Sequence, residues 1–321
     1  MLSEQVPAID LDAYLRRIGL TREALSAHAA PSIDLLRLVV ANHSESIPFE
    51  NLAGCGVYTP VPAHANMAVG EVVSLDITKI FQKLVIDCRG GYCFEQNGLL
   101  SVVLRTLGFA VATHSARVVI ANSDSAQAYY DLSATSHAVL LVDAVEHYAM
   151  HKYLCDVGFG GRGQPPCPMR LSSTDARVEL LSGEAYELKS VALDHHWTAT
   201  NFSGSVTLAK EPSAGDFFAV YYRTGKEKAM FPSYVFSTAS PTVQPDYAMA
   251  NWFMSTSRAT LLTAQPLIVR RQRPTLRTLI GTQYSRYENG ELAESRTVDA
   301  QDLVALLETE FGLFATANTD A

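Results

Sequence analysis

The sequence predicts an α+β fold, with helices first, a β-rich middle and a mixed final segment. Two observations carry this. Helical periodicity is concentrated in roughly the first hundred residues, and short β-branched apolar runs fill the stretch from about 110 to 225. The third observation is negative: strands and helices do not alternate, so a parallel βαβ sheet is not expected.

Leu11, Tyr14, Leu15 and Ile18 lie on one helical face, Asp10 is placed to cap it and Gly19 to end it. Pro31 and Ser32 precede a second pattern at Ile33, Leu36, Leu38, Val39 and Val40, which Pro48 stops. Residues 53–73 carry Gly, Pro and small side chains without period and read as an irregular surface loop. Helical character returns at 76–86. It appears again as a buried pattern at 97–109 that ends near Gly108.

The strand-like runs are VATHSARVVI, SHAVLLVDA, KYLCDVGF, ARVELLSG, YELKSVAL, HHWTATNF, SVTLAK and FFAVYYRTG. The last part adds PLIVRRQ, a hairpin signal at Asn289–Gly290 and a closing helix over 299–313. The expected divisions are 1–109, helices carrying a nucleophile; 110–225, β-structure; and 226–321, mixed.

A chain of 321 residues exceeds one typical domain of ~100–200. Its 48% hydrophobic and 18% charged content suits a large core. A net charge of −8, with no Lys/Arg run, argues against a nucleic-acid partner. No apolar stretch reaches the ~18 residues of a membrane span, and the first residues lack a secretory apolar region. No membrane partner is therefore expected. Five cysteines, an odd and sparse set, argue against a disulfide framework and for a reducing compartment, the cytoplasm.

The chemistry is concentrated in Arg89-Gly90-Gly91-Tyr92-Cys93-Phe94-Glu95-Gln96-Asn97. Two glycines permit a sharp turn just before a helix, which places Cys93 near a helix N-terminus. There the macrodipole favours an anion, and free N–H groups can receive a developing oxyanion. Tyr92 and the Cys93 N–H are the candidate oxyanion donors. In isolation Cys93 would read as a buried structural cysteine.

His137, at the mouth of the strand Ser136–Val142, is placed to take a thiol proton; alone it would read as a hydrogen-bonded core histidine. Asp156 closes the apolar run at Leu154–Cys155. An acid there needs a partner, and accepting the His137 ring N–H would supply one; a strand-end Asx turn is the other reading. Gly158, Gly160 and Gly161 beyond it allow a ligand to approach the backbone. No zinc-ligand spacing is present, so no metal is expected.

RGGYCFEQN, SHAVLLV and LCDVGFG, in that order, resemble the arylamine N-acetyltransferases. AYLRRIG, IPFENL, ARV and EFGL add to the likeness. The resemblance is continuous over 9–165 and scattered beyond. It implies an N-terminal helical bundle, a central β-barrel and a C-terminal α/β lid on a cysteine-protease/transglutaminase-like core. It also implies a catalytic triad of Cys93, His137 and Asp156. Acetyl-CoA is implied as co-substrate, with no permanently bound cofactor, and an arylamine, arylhydroxylamine or hydrazine as acceptor. Phe49 and Phe159 match family positions that line the acceptor pocket.

Three features depart from the family pattern. The 53–73 loop is longer than in typical bacterial members. In the segment Asn251–Thr256 and beyond, Ser257-Arg258 and Leu261-Leu262 replace the usual His-Pro and Phe. This leaves acetyl, propionyl and malonyl donors open, with Arg258 a candidate partner for a malonyl carboxylate. Arg89 and Glu95 are expected to pair and hold the cysteine loop. Rival readings are a transglutaminase-like enzyme and a papain-like hydrolase. The latter places its base ~130–150 residues downstream, whereas His137 follows Cys93 by 44.

Overall fold

The computed structural model describes residues 7–56, 72–120, 129–172, 176–196, 205–211 and 213–313. Most of the 53–73 loop (57–71) lies outside the described residues, as does the end of the HHWTATNF run.

Helices α1 (Leu11–Arg17), α2 (Arg22–Ser26) and α3 (Ile33–Ser46) open the chain. Each is capped by a short polar side chain: Asp10 accepts from Ala13 N–H, Thr21 from Ala24 N–H and Ser32 from Leu35 N–H. Gly19, at φ 71°, ends α1 as its position suggested. A short strand β1 (Phe49–Glu50) follows, then α4 (Ile77–Phe81), which runs into a π-helical turn, and α5 (Cys93–Thr106).

The β-rich region contains β2 (Ala110–Ile120), β3 (Tyr129–Glu146), β4 (Ala149–Cys155), β5 (Met169–Arg170), β6 (Ala176–Glu179), β7 (Ala185–Val191), β8 (Asp194–His196), β9 (Ser205–Ala209), β10 (Phe217–Arg223) and β11 (Phe231–Ser237). They form one ten-stranded antiparallel sheet in the order β5-β4-β3-β2-β11-β10-β7-β6, with β9 joining β3 to β8. Met169 from one end of that order packs in the same cluster as Tyr186 and Leu188 from the other. The sheet therefore curls nearly closed, as a barrel.

Strand β3 explains its own composition. Val139 and Leu141 fill the barrel interior, whereas Leu140, Val142 and Ala144 face the helices. A strand buried on both faces has no polar side to show, so the period-two alternation disappears. Leu36, Val39, Leu100, Val103 and Leu104 of α3 and α5 complete that helix–sheet core.

The last part adds α6 (Gln244–Thr256), α7 (Leu261–Ala264), β12 (Leu267–Gln272), β13 (Thr275–Ile280), β14 (Gln283–Glu288), β15 (Glu291–Thr297) and α8 (Leu303–Thr309). A second antiparallel sheet runs β1-β12-β13-β14-β15, and α8 packs Leu306 and Leu307 onto it. Its edge strand β1 comes from the N-terminal part. Phe49 pairs with Val269 on one side and bridges Gly91 on the other. One residue thus ties the helices, the second sheet and the cysteine loop together. The mixed α+β class expected from the sequence is the one observed. No helix among the described residues is long and apolar enough to cross a membrane.

Candidate active site

Cys93 is the first residue of α5. The turn before it is held by close backbone approach and by charge. A Cβ on Gly90 would collide with the Pro48 carbonyl oxygen, so only glycine fits. Glu95 reaches back to accept the Tyr92 N–H at 3.2 Å, as an acid at the third helical position does in a capping box.

The expected Arg89–Glu95 pair takes a different form. Arg89 pairs with the fully buried Glu50 at 3.0 Å, and Lys83 spans Glu50 at 3.5 Å and Glu95 at 2.8 Å. The reason is geometric. Glu95 turns toward the start of its own helix, and β1 brings Glu50 under the Arg-Gly-Gly turn.

Gln96 supports the loop from beneath. Its amide nitrogen donates to Pro48 O at 2.9 Å and Gly91 O at 3.3 Å. Its side-chain oxygen accepts from His43 Nε2 at 2.8 Å, which leaves His43 Nδ1 to accept the Tyr14 hydroxyl at 2.9 Å. His43 is therefore a neutral imidazole, and burial pushes its pKa down to about 4 against the opposing pull of Gln96.

His137, on β3, meets Asp156, the residue that follows the neighbouring strand β4. His137 Nε2 lies 2.8 Å from Asp156 Oδ2, with both side chains almost wholly buried. Asp156 also accepts from Asn97 Nδ2 at 3.0 Å and Gly158 N–H at 2.9 Å. Burial alone would raise this carboxyl, but His137, Asn97 and Gly158 together hold it below the ordinary range. For His137, burial works against the charged form. Asp156 overcomes it, and with hydrogen bonding to Cys93 and its negative charge lifts the imidazole to about 10.

The Cys93 sulfur lies beside this imidazole, 3.9 Å from the Ser136 carbonyl oxygen. The structure thus brings Cys93, His137 and Asp156 into one buried cluster. The arrangement can remove a thiol proton, hold the resulting imidazolium, and present a nucleophilic sulfur at a helix N-terminus.

Of the other sequence-predicted residues, Phe49 is buried against Tyr92 and Cys93, and the Phe159 ring lies 5.2 Å from the His137 ring. Gly158 packs directly on Cys93, and a Cβ on Gly160 would stand 2.5 Å from the Phe49 ring. The Gly161 carbonyl accepts from Arg271 at 3.0 Å. The Tyr92 hydroxyl donates to the Asn251 side-chain oxygen, so of the two candidate oxyanion donors the Cys93 N–H is the one left beside the thiol. Arg258 is exposed just beyond α6.

Two contributors escaped the sequence reading. Asn97 joins the site by donating to Ala138 O at 2.7 Å and accepting from Val157 N–H at 3.1 Å; its spacing of four from Cys93, one helical turn on the same face, is the signal for it. Tyr234, on β11, packs its ring 4.9 Å from that of His137. No sequence signal linked it to the site.

A family model described as N-acetyltransferase matches residues 32–319. The chain is 31% identical over 309 residues to the arylamine N-acetyltransferase of Escherichia coli (strain K12), covering 94% of this chain and 88% of that one. The chain belongs to the arylamine N-acetyltransferase family. It is also 40% identical over 188 residues to the arylamine N-acetyltransferase of Mycolicibacterium smegmatis, a match spanning 59% of each chain. The structure of the Mycobacterium marinum arylamine N-acetyltransferase in complex with CoA aligns at 28% identity and a TM-score of 0.69, covering 95% of this chain and 93% of that one. Among the described residues no cluster of three or more His, Cys, Asp or Glu could hold a metal ion.

Proposed function

We propose that this chain transfers an acetyl group from acetyl-CoA to an arylamine through a thioester on Cys93. The observation that carries the proposal is the buried His137–Asp156 pair at 2.8 Å with the Cys93 sulfur against its imidazole. Family membership and the CoA complex of a relative support the donor.

In the first half-reaction His137 Nδ1 takes the Cys93 proton while Nε2–H stays on Asp156. The sulfur attacks the thioester carbonyl, the Cys93 N–H receives the oxyanion, and the carbon–sulfur bond to CoA breaks. The CoA thiolate leaves as the thiol by taking the proton from His137 Nδ1, so the acylated enzyme is left with a neutral imidazole.

Acylation removes the negative charge on Cys93, one of the causes of the raised His137 pKa. The imidazole is therefore less basic in the acylated enzyme, which favours its giving the proton to the departing CoA and leaves it neutral, ready to act as base. In the second half-reaction it accepts a proton from the attacking amine as the tetrahedral centre collapses and Cys93 is released. Phe49 and Phe159 supply flat aromatic walls for a flat acceptor. Arylhydroxylamines and hydrazines share the nucleophilic nitrogen and belong to the same acceptor class. Propionyl and malonyl donors use the same sulfur chemistry. The low cysteine count fits action in the cytoplasm.

Initial-rate kinetics with acetyl-CoA and an arylamine test this reading. Parallel double-reciprocal lines, with activity lost in Cys93→Ala, are expected. Intersecting lines would overturn the thioester route, and acyl transfer from a glutamine donor in place of acetyl-CoA would favour a transglutaminase-like enzyme instead.

A further inference from the structure

Cys93 sits between two neighbours that α6 grips. Tyr247 and Asn251 lie one helical turn apart on α6 and so share a face. Asn251 accepts the Tyr92 hydroxyl through its side-chain oxygen. The Tyr247 ring stands edge-on to the Phe94 ring, with centroids 5.6 Å apart, and Phe94 is edge-on to Tyr92 at 5.5 Å. One helix from the last part of the chain thus touches the residues immediately before and after the thiol.

The Asn251 side chain is fixed from its other end. It is buried, and its amide nitrogen donates to the Val73 carbonyl at 2.8 Å. Reversing the amide would set its oxygen against that carbonyl, so the oxygen stays toward Tyr92. The Asn251 carbonyl in turn accepts the Ser255 hydroxyl at 2.8 Å.

Tyr92 controls the oxyanion donor. The Cys93 N–H belongs to the planar peptide group that begins at Tyr92, so the placement of Tyr92 sets where that N–H points. On the backbone side, Glu95 accepts the Tyr92 N–H at 3.2 Å, and the Tyr92 carbonyl accepts the Gln96 N–H at 2.9 Å. The bond to Asn251 is the hold from the side-chain end, and it comes from a distant part of the sequence. An oxyanion donor is effective when it is fixed in advance at the place where charge develops.

We infer that Asn251 is a positioning residue, which acts through the Tyr92 hydroxyl to hold the Cys93 N–H where the oxyanion forms. This rests on the thioester reading above.

Two reactions of the same thiol test it. Acetylation by acetyl-CoA passes through an oxyanion, whereas alkylation by iodoacetamide needs only the thiolate. Both rates are measured by intact-protein mass on the full chain, the alkylation across a range of pH, for the wild type, Tyr92→Phe, Asn251→Ala and the double variant. Tyr92→Phe keeps the ring against Phe94 and loses only the hydroxyl. Each single variant should acetylate about tenfold more slowly, less than the ~10²–10³ of outright loss of a donor. The alkylation rate and its pH profile should not change. The double variant should match the slower single, because both changes remove the same bond. Acetylation at the wild-type rate in either single variant, alkylation that falls in step with acetylation, or losses that multiply in the double variant would each overturn the inference. A wild type that is alkylated but takes no acetyl group would overturn the thioester reading, and this inference with it.

Discussion

Gly158 packs so tightly on Cys93 that a Cβ there would stand 2.5 Å from the Cys93 Cα and 3.0 Å from Asn97 Nδ2. The glycine two residues after Asp156 thus sets the distance between the strand that carries the acid and the helix that carries the thiol. Gly158→Ala should force these elements apart, costing about 1–3 kcal/mol as overpacking does. It should also lower kcat more than the stability loss explains. Urea denaturation and steady-state kinetics on one preparation check both. Unchanged kcat would show that the spacing is not critical.

Asp156 holds His137 through Nε2, which leaves Nδ1 toward Cys93. Asp156→Asn preserves shape but offers the ring a competing donor and removes the charge that stabilises the imidazolium. A fall in kcat of about a thousandfold or more is expected, by analogy with triads of this geometry. The pH–rate profile should shift to lower pH, because Asp156 is the main support for the raised imidazole. A variant within tenfold of wild type would remove Asp156 from the mechanism.

Much of this site was legible because its chemistry is local in sequence. RGGYCFEQN encodes a turn, a cap and a nucleophile in nine consecutive residues, and the strands of His137 and Asp156 are adjacent, pairing Leu140 with Cys155. Strand β11 was not legible. Its Pro232 argues against a central strand, yet it lies between β2 and β10. Pro232 is accommodated at the register shift beside Val220 and Tyr221. Missing β11 meant missing Tyr234. The first half of β3 was also obscured, since Tyr129–Thr135 pairs with β9 and β2 while remaining partly buried or exposed, so no apolar alternation marks it. The Glu50 partnership of Arg89 spans 39 residues, a distance no local pattern reports.

The Glu50–Arg89–Lys83–Glu95 network predicts a stability effect. Glu50→Ala leaves Arg89 and Lys83 without their shared carboxylate in a buried setting, and removing one partner of such a cluster costs about 3–5 kcal/mol. The denaturation midpoint should fall accordingly. A loss under 1 kcal/mol would mean that the charges are well solvated.

His43 predicts the acid limb of stability. Its pKa is about 4 in the fold against 6.5 when unfolded, so the unfolded chain binds the proton first. Stability is therefore fully present above pH 6.5 and declines as pH falls toward 4. The contribution is about 3–4 kcal/mol, from the fall of the imidazole from 6.5 to about 4 at about 1.4 kcal/mol per pH unit. His43→Gln should be less stable at neutral pH but lose less between pH 6.5 and 4. Parallel pH dependences for the two proteins would assign the acid loss elsewhere.

The central claim is that Cys93 carries the acyl group, and the most direct measurement is intact-protein mass after brief mixing with acetyl-CoA and no amine. One acetyl adduct on the wild type, absent from Cys93→Ala and discharged when an arylamine is added, is the predicted result. No adduct on the wild type, or an adduct that survives Cys93→Ala, would contradict the thioester mechanism.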